Sequence, residues 1–262
     1  MDYEQIVFQM SEWAKHKYST GLEAIPNPDP AIKQKTKEVL FGLRRYYSYM
    51  NGYSIENLQR DDRAEISKDV LFSYEFHRMA ESNYISPAFF AYRIVEKSCR
   101  NGAFPPHTQG LVSRGLRIFP SFLRELCLAY KIKYYLPDAI TKSDVNNDVN
   151  KHTDILLSIN GSDYRIWSYQ SNSLYNTKRK IKGYRGELPN GIFVLCPFDR
   201  TNSKCYENIN GWDMYSDIYV KKVVDTIVKT DIASSDNYKD KIINATDDDL
   251  TRYLREIHIF RK

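Results

Sequence analysis

Four polar residues in the second half of the chain have types and spacing suited to chemistry on a phosphate: Glu125, Asp154, Ser168 and Gln170. Asp154 opens an apolar run, and Ser168 and Gln170 lie two residues apart near the end of the next run. Residues two apart share one face of a strand, so pairing of the two runs would bring that face near Asp154. Mg²⁺ prefers oxygen ligands, often one or two carboxylates completed by water and phosphate. The pattern therefore predicts a magnesium site at the ends of paired strands.

A metal ion held in this way would activate water and offset the charge that develops on a phosphodiester during hydrolysis. Each residue also has a simpler interpretation. Asp154 fits a strand-edge residue that hydrogen-bonds the loop, Glu125 fits a solvated helix face, and Gln170 fits a polar strand cap. Ser168 is also compatible with small inward packing. His152, two residues before Asp154, is either a loop histidine or a general base.

The elements that must position these residues follow from changes in the hydrophobic pattern after residue 120. Two strand-like runs are joined by Asn160-Gly-Ser-Asp163, which is typical of a hairpin. A short apolar run between Gly191 and Pro197 is typical of a buried strand. The pattern predicts a helix over 120–131 with Pro120 in its first turn, strands over 132–136, 154–159, 164–170 and 192–196, and a helix over 214–229.

The first hundred residues carry apolar side chains at helical spacing and contain no strand-like alternation of any length. They predict helices over 3–18, 31–50, 54–60, 63–80 and 86–99, with Pro30 as an early position of the second helix. The segment Asn101-Gly-Ala-Phe-Pro-Pro106 is the clearest break. We expect a helical N-terminal region over 1–106, an α/β core over 107–232 and a helical tail over 233–262, with a last helix near 247–258.

The composition argues against several functional classes. The 262 residues are 42% hydrophobic and carry a net charge of +5, which suits a folded, mildly basic protein and permits a nucleic-acid partner. Four scattered cysteines form no CxxC pair, so we expect no zinc ribbon. The common phosphate-loop, dinucleotide, zinc-protease and serine-hydrolase motifs are absent from the sequence. With no apolar run of membrane-spanning length and no secretory signal, we expect a cytoplasmic protein of microbial or phage origin with no membrane partner.

This arrangement resembles the PD-(D/E)XK nuclease superfamily, which includes many restriction endonucleases. The resemblance covers about residues 110–230 and implies a restriction-endonuclease-like core sheet flanked by helices. In that family a helix often supplies a Glu, matched here by Glu125, and the first hairpin strand supplies an Asp, matched by Asp154. The second strand supplies an acid, any residue and a Lys, matched by Ser168-Tyr169-Gln170 or, in an alternative frame, by Gln170-Ser171-Asn172. Ser168 departs from the acid of the family, whereas Gln replaces the Lys in some members.

The resemblance implies Mg²⁺ or Mn²⁺ as the cofactor. It also implies that Asp154 binds the metal directly, that Glu125 binds it directly or through water, and that Ser168 is a weak or water-mediated ligand. Gln170 would position the attacking water or polarise the phosphate, and the product would carry a 5′-phosphate. A set of basic residues would face the DNA backbone, where phosphate contacts make binding salt-dependent. Its members are Arg114, Arg117, Lys178, Arg179, Lys180, Lys182 and Arg185.

These observations predict a Mg²⁺-dependent endonuclease of double-stranded DNA, of the restriction or defence type. A homodimer is one option, with the helical region serving dimerisation or target recognition. Two alternatives stay open. A degenerate nuclease fold would bind nucleic acid or a protein partner without cutting, and Ser168 and Gln170 favour it. An interaction protein that uses its helical half would bind no nucleic acid.

Overall fold

The structure is a computed structural model that describes residues 2–15, 20–43, 71–143, 153–170, 191–233 and 240–244. Its helices are α1 (Tyr3–Lys15), α2 (Thr20–Glu23), α3 (Pro30–Gly42), α4 (Phe72–Glu81), α5 (Pro87–Ser98), α6 (Thr108–Tyr135) and α7 (Asp217–Ala233). Its strands are β1 (Ile140–Lys142), β2 (Ile155–Ile159), β3 (Ser162–Gln170), β4 (Gly191–Phe198), β5 (Tyr206–Ile209), β6 (Trp212–Tyr215) and β7 (Asp240–Asn244). The predicted mixture of helices and strands, an α/β class, is confirmed. No described helix combines the length and the apolar character needed to cross a membrane.

The chain forms two compact units. The first comprises Met1–Leu123 with Asn208–Trp212, and the second comprises Arg124–Glu207 with Asp213–Lys262. The division falls within α6, and not at the boundary that the sequence suggests after residue 106, because one continuous helix contributes residues to both units. The four residues predicted to carry chemistry all belong to the second unit.

Helix starts in the first unit follow local sequence signals. The Asp29 carboxylate caps α3 by accepting hydrogen bonds of 2.8 and 3.0 Å from main-chain N–H groups of the first turn. Pro30 lies in that turn, as the sequence predicts. Ser86 caps α5 in the same way. The helix predicted over 54–60 lies outside the described residues, as do residues 63–70 of the next predicted helix.

Helix α6 is longer than the sequence predicts. The pattern predicts a helix over 120–131 followed by a strand over 132–136, and the strand prediction is wrong because the helix continues to residue 135. Pro120 lies inside the helix and not in its first turn. Ile132 is fully buried, at helical spacing from other buried residues of α6. Burial at a helical period outweighs the local strand preference of Ile and Tyr, so the first strand begins only at Ile140.

The predicted hairpin forms with a tight turn. Strands β2 and β3 pair antiparallel, with Ile155 opposite Ile166. Asn160 and Gly161 make the turn with φ angles of 49° and 82°. Two positive φ angles in a two-residue loop are typical of the type I′ turn, which favours Asn-Gly because both residues tolerate that conformation. Local turn chemistry therefore sets the register of the hairpin, in which Asp154 immediately precedes β2 and Ser168 lies on β3.

The described strands of the main sheet lie in the order β1-β2-β3-β4-β7. The first two pairings are antiparallel, whereas β3 with β4 and β4 with β7 are parallel. Pro197, which the sequence predicts as the end of a strand, lies inside β4 opposite Tyr169. The described pairing of β4 with β7 ends at Leu195, so among the described strands Pro197 has a neighbour on one side only. A proline without an N–H group is tolerated at such an edge position.

The prediction of a helical tail over 233–262 is wrong in part, because the tail contributes strand β7. Residues 240–244 pair parallel with β4, and among the described strands only β7 offers sheet partners to the backbone groups on that side of β4. The helix predicted near 247–258 lies outside the described residues. The helix predicted over 214–229 begins later, at Asp217, because residues 212–215 form β6.

The core of the second unit covers one face of the main sheet. It contains alternate residues of the strands, among them Ile155, Tyr164, Ile166 and Val194, with residues of α6 and α7 packed against them. Ser168 continues that face two residues beyond Ile166. The end of β3 therefore brings a polar side chain to the border of an apolar core.

Candidate functional site

Asp154 and Ser168 meet at one end of the β2–β3 hairpin. The main-chain N–H of Ser168 donates a hydrogen bond of 2.7 Å to Oδ2 of Asp154, and both residues are half-buried. The register explains this contact, since Ile155 lies opposite Ile166 and the residue before Ile155 therefore faces the end of β3. The structure thus brings together the two predicted site residues that flank the hairpin.

A buried tyrosine that the sequence analysis missed extends this contact. The Tyr215 hydroxyl lies 2.9 Å from the Ser168 hydroxyl and 2.7 Å from the main-chain carbonyl of Cys196. Ser168 and Cys196 are neighbours on the parallel strands β3 and β4. Tyr215 therefore links both strands next to the Asp154 carboxylate. We call Asp154, Ser168, Cys196 and Tyr215 the Tyr215 network.

The Tyr215 side chain is tightly packed. It is only 1% exposed, and its ring stacks on Tyr219 at 5.3 Å and meets Phe198 edge to face at 5.0 Å between centroids. Its main-chain carbonyl accepts a hydrogen bond of 2.9 Å from Nζ of Lys131. Ring packing and a fixed backbone together give the hydroxyl a defined position.

Lys131 connects α6 to the junction between β6 and α7 through a hydrogen bond and an ion pair. Its ammonium group is buried and forms ion pairs with Glu207 and with Asp217, the second at 2.8 Å. A buried ammonium needs such partners, because leaving it unpaired in an apolar environment costs several kcal/mol. Lys131 therefore holds the backbone of Tyr215, and Tyr215 in turn holds Ser168.

The sequence pattern does not predict the contact of Tyr215 with Ser168. The predicted helix over 214–229 includes this residue, whereas the structure places it at the end of β6. The hydroxyl of Ser216 then accepts a hydrogen bond of 3.2 Å from the main-chain N–H of Tyr219 and caps α7. The pair Ser216-Asp217 is a helix-start signal that could have placed Tyr215 before the helix. The contact with Ser168 joins residues 47 positions apart and has no local signature.

Glu125 lies on the part of α6 that belongs to the second unit, and it is half-buried. It precedes the core residues Ala129 and Ile132 at helical spacing, so it shares the stripe of α6 that packs on the sheet. The guanidinium of the neighbouring Arg124 is buried and lies 4.6 Å from the ring centroid of Phe198, the last residue of β4. These relationships indicate that Glu125 lies towards the same end of the sheet as the Tyr215 network.

The remaining predicted site residues are described only in part. Strand β3 ends at Gln170, whose backbone pairs with Phe198. Arg114 and Arg117 lie half-buried on the part of α6 that belongs to the first unit, and burial lowers the pKa of Arg117. The other positions lie outside the described residues: His152, Ser171, Asn172, Lys178, Arg179, Lys180, Lys182 and Arg185.

Burial keeps the phenol and the thiol of the Tyr215 network neutral. It raises the pKa of the Tyr215 hydroxyl well above its ordinary value. Burial also raises the pKa of the Cys196 thiol, a shift that the nearby Tyr219 hydroxyl partly opposes. That Tyr219 hydroxyl is itself buried and makes no hydrogen bond of normal geometry with any described residue. At neutral pH the phenol and the thiol of the network therefore both keep their protons.

The oxygen donors at this site suit a hard divalent cation. Asp154 has a carboxylate and Ser168 has a hydroxyl oxygen, whereas Glu125 carries a second carboxylate on α6. Mg²⁺ and Mn²⁺ accept such ligands, and Mg²⁺ is often held by only one or two carboxylates. Among the described residues, no three His, Cys, Asp or Glu side chains are grouped to hold a metal ion. A carboxylate and a hydroxyl oxygen would leave most of the coordination shell of such an ion to water and phosphate.

The candidate site thus consists of Asp154, Ser168 and Tyr215, with Glu125 on the helix beside the sheet. Each contact in the Tyr215 network joins a different pair of elements within the second unit. Comparison of the chain with models of protein families, with curated proteins and with solved structures finds no match.

Proposed function

We propose that this chain is a Mg²⁺-dependent endonuclease that hydrolyses phosphodiester bonds of double-stranded DNA, of the restriction or defence type. The observation that carries the proposal is the 2.7 Å hydrogen bond between the Ser168 amide and the Asp154 carboxylate. It joins a carboxylate and a hydroxyl-bearing residue at the paired ends of two strands. A resemblance to PD-(D/E)XK nucleases implies the metal ligands at that location.

The order of elements supports the same proposal. Helix α6, the β2–β3 hairpin, the parallel strand β4 and helix α7 follow one another in the second unit. Residues of both helices pack on the face of the sheet that Ser168 continues. This order is compatible with a restriction-endonuclease-like core, in which a helix, a hairpin and a further strand surround the site.

In the proposed enzyme, Asp154 would hold the metal ion, and Glu125 would be a second ligand, directly or through water. When bound, a divalent ion would supply activation of water and stabilisation of the charge on the phosphodiester. Ser168 would contribute a neutral oxygen. Gln170 would orient water or polarise the phosphate.

DNA contacts would come from the basic segment 178–185, with Arg114 and Arg117 as further candidates. The net charge of +5 favours a polyanionic partner. Each phosphate contact releases counterions, so affinity should fall steeply with salt. A homodimer would supply one site for each strand of a duplex, and sedimentation with and without DNA tests that part of the proposal.

The decisive experiment compares Asp154→Asn with Asp163→Asn in a cleavage assay on plasmid and phage DNA with Mg²⁺, Mn²⁺ or EDTA. Asn keeps the shape of Asp154 and can still accept the hydrogen bond from Ser168, so the variant removes mainly the charge. Asp163 is the matched control, an exposed acid at the other end of the hairpin that bonds Ser158 at 2.6 Å. We expect metal-dependent fragments from wild type and Asp163→Asn, and none from Asp154→Asn. Cleavage by Asp154→Asn at the wild-type rate would refute the site.

A second candidate function is nucleic-acid binding without cleavage. It is favoured by Ser168, which stands at the position where the resemblance implies an acid. Mobility shifts at several salt concentrations, with and without EDTA, separate the two functions. Salt-sensitive binding that EDTA leaves unchanged, in the absence of any cleavage, would identify a binder.

A further inference from the structure

The two hydrogen bonds of Tyr215 determine where its single proton lies. A main-chain carbonyl can only accept, so the 2.7 Å contact with the Cys196 carbonyl uses the Tyr215 proton. The Tyr215 oxygen is therefore the acceptor in its 2.9 Å contact with Ser168. It follows that the Ser168 hydroxyl donates a hydrogen bond to the Tyr215 oxygen.

This direction leaves the Ser168 oxygen as an acceptor. A hydroxyl has one proton and two lone pairs, and the proton of the Ser168 hydroxyl is already used in the hydrogen bond to Tyr215. Among the described residues, no donor other than Tyr215 contacts this oxygen, and Tyr215 has no second proton. The Asp154 carboxylate lies beside the same residue, bonded to its main-chain N–H. Ser168 is therefore set to accept from a donor or to bind a cation, and not to donate.

We propose that Tyr215 is a positioning residue that makes Ser168 a neutral oxygen ligand for the divalent cation beside Asp154. The inference rests on the proposed function, because it adds a determinant to the same metal site. It also explains how a serine can occupy a position where an acid would be expected. Without an acceptor for its proton, a serine hydroxyl would rotate among several orientations and would be a poorer ligand.

The packing of Tyr215 suits this role. Its ring lies between Tyr219 and Phe198, and Lys131 holds its main-chain carbonyl. Tyr219 provides a matched control, because it stacks on the same ring and carries a buried hydroxyl that makes no hydrogen bond of normal geometry within the described part of the chain. Tyr215→Phe and Tyr219→Phe each remove one oxygen atom from the same core. Only the Tyr215 oxygen contacts Ser168.

The test is a calorimetric titration of Mn²⁺ into the folded full-length chain. The variants are Tyr215→Phe, Ser168→Ala, the double variant and Tyr219→Phe. We expect Tyr215→Phe and Ser168→Ala each to weaken Mn²⁺ binding about tenfold, the range for residues that orient metal ligands. The double variant should bind as weakly as Ser168→Ala and no more weakly, because Tyr215 acts on the metal only through the Ser168 oxygen. Tyr219→Phe should bind Mn²⁺ like wild type.

The proposal would be overturned if Tyr215→Phe bound Mn²⁺ with wild-type affinity. It would also be overturned if the fold-losses in Mn²⁺ affinity of the two single variants multiplied in the double variant. If Tyr215→Phe does not fold, Ser168→Thr and Ser168→Val replace it. These two side chains have the same shape, and only Thr keeps the hydroxyl, so only Thr should retain Mn²⁺ affinity. Equal affinity of the two would also overturn the proposal.

The outcomes separate this inference from the proposed function. Mn²⁺ binding that depends on Tyr215, without cleavage of any DNA, would support the inference and refute the endonuclease. Mn²⁺ binding and DNA cleavage that are both unchanged in Tyr215→Phe would refute the inference alone. A wild-type chain that binds no Mn²⁺ would refute both.

Discussion

The Ser168 main chain, and not its side chain, contacts the Asp154 carboxylate: the amide donates a hydrogen bond of 2.7 Å to Oδ2. Any residue at position 168 except proline can keep this bond. The side chain at 168 is therefore available to interact with Tyr215 and with a ligand. Substitutions at this position consequently test the chemistry of the site without removing the hydrogen bond between the Ser168 main chain and Asp154.

The change Ser168→Asp should strengthen metal binding and weaken the metal-free fold. A second carboxylate adds a charged ligand, and we expect Mn²⁺ affinity to rise about tenfold. Without metal, the new carboxylate lies close to Asp154, and like charges in a half-buried site repel. Thermal unfolding with and without Mn²⁺ measures both effects. Ser158→Asp, beside Asp163 on the same hairpin, is the control and should leave Mn²⁺ affinity at the wild-type level.

The change Lys131→Met should lower stability by about 1–2 kcal/mol. It removes a buried ammonium and leaves the Tyr215 carbonyl without this donor. The side chains of Glu207 and Asp217 are 37% and 57% exposed, so water can solvate their carboxylates and the loss stays below that of a fully buried pair. Urea unfolding measures the difference. Lys133→Met, an exposed lysine on the same helix, should change stability little, and an equal loss there would contradict the role of Lys131.

Two glycine-to-alanine substitutions in the first unit should change the free energy of unfolding in opposite directions. A Cβ at Gly115 would lie 2.2 Å from Cδ1 of Ile94, which is fully buried. Gly115→Ala should therefore destabilise the chain by about 1–3 kcal/mol. A Cβ at Gly42 would lie at an ordinary 3.6 Å from the Gln109 side chain, so Gly42→Ala should stabilise by about 0.5–1 kcal/mol. Thermal unfolding checks both, and Ile94→Val, which deletes the clashing carbon, should rescue Gly115→Ala.

Stability should decline at alkaline pH through the buried Cys127. Burial raises the pKa of this thiol from 9.0 to about 12, so the folded chain keeps a proton that the unfolded chain has lost. Below about pH 9 the thiol is protonated in both states and does not make the free energy of unfolding depend on pH. From about pH 9 to about pH 12 the free energy of unfolding falls as pH rises. The slope for this one group approaches about 1.4 kcal/mol per pH unit. Urea unfolding at about pH 8 and about pH 10.5 should show a smaller decline for Cys127→Val than for wild type, and an equal decline would contradict this assignment.

Predictions from local signals agree best with the structure. The Asn160-Gly161 turn and the capped start of α3 at Asp29 follow from the conformations and hydrogen bonds of a few adjacent residues. The hairpin register then follows, and it accounts for the contact between Asp154 and Ser168. Site residues on neighbouring paired strands can therefore be inferred from sequence.

Predictions that depended on distant partners agree less well. The segment after residue 131 has strand-forming residues, but it continues α6 because Ile132 is buried in the core of the second unit. Tyr215 falls inside a predicted helix, but β6 pairs with β5 and ends at this residue. The partners of Ile132 lie far along the chain and outweigh a local preference, whereas β5 and β6 are adjacent strands joined at Asn210-Gly211, a local turn signal that the helix prediction overlooked.

The sequence by itself determined the α/β class, the hairpin and the candidate residues Asp154 and Ser168, because periodicity and turn chemistry act over a few residues. Only the tertiary structure decided that Tyr215 meets Ser168, that Lys131 holds the Tyr215 backbone, and that β7 extends the sheet. Each of these contacts closes a long loop, and its formation depends on the packing of the whole unit. No local pattern encodes that packing, so the direction of the hydrogen bond between Ser168 and Tyr215 can be inferred only from the folded chain.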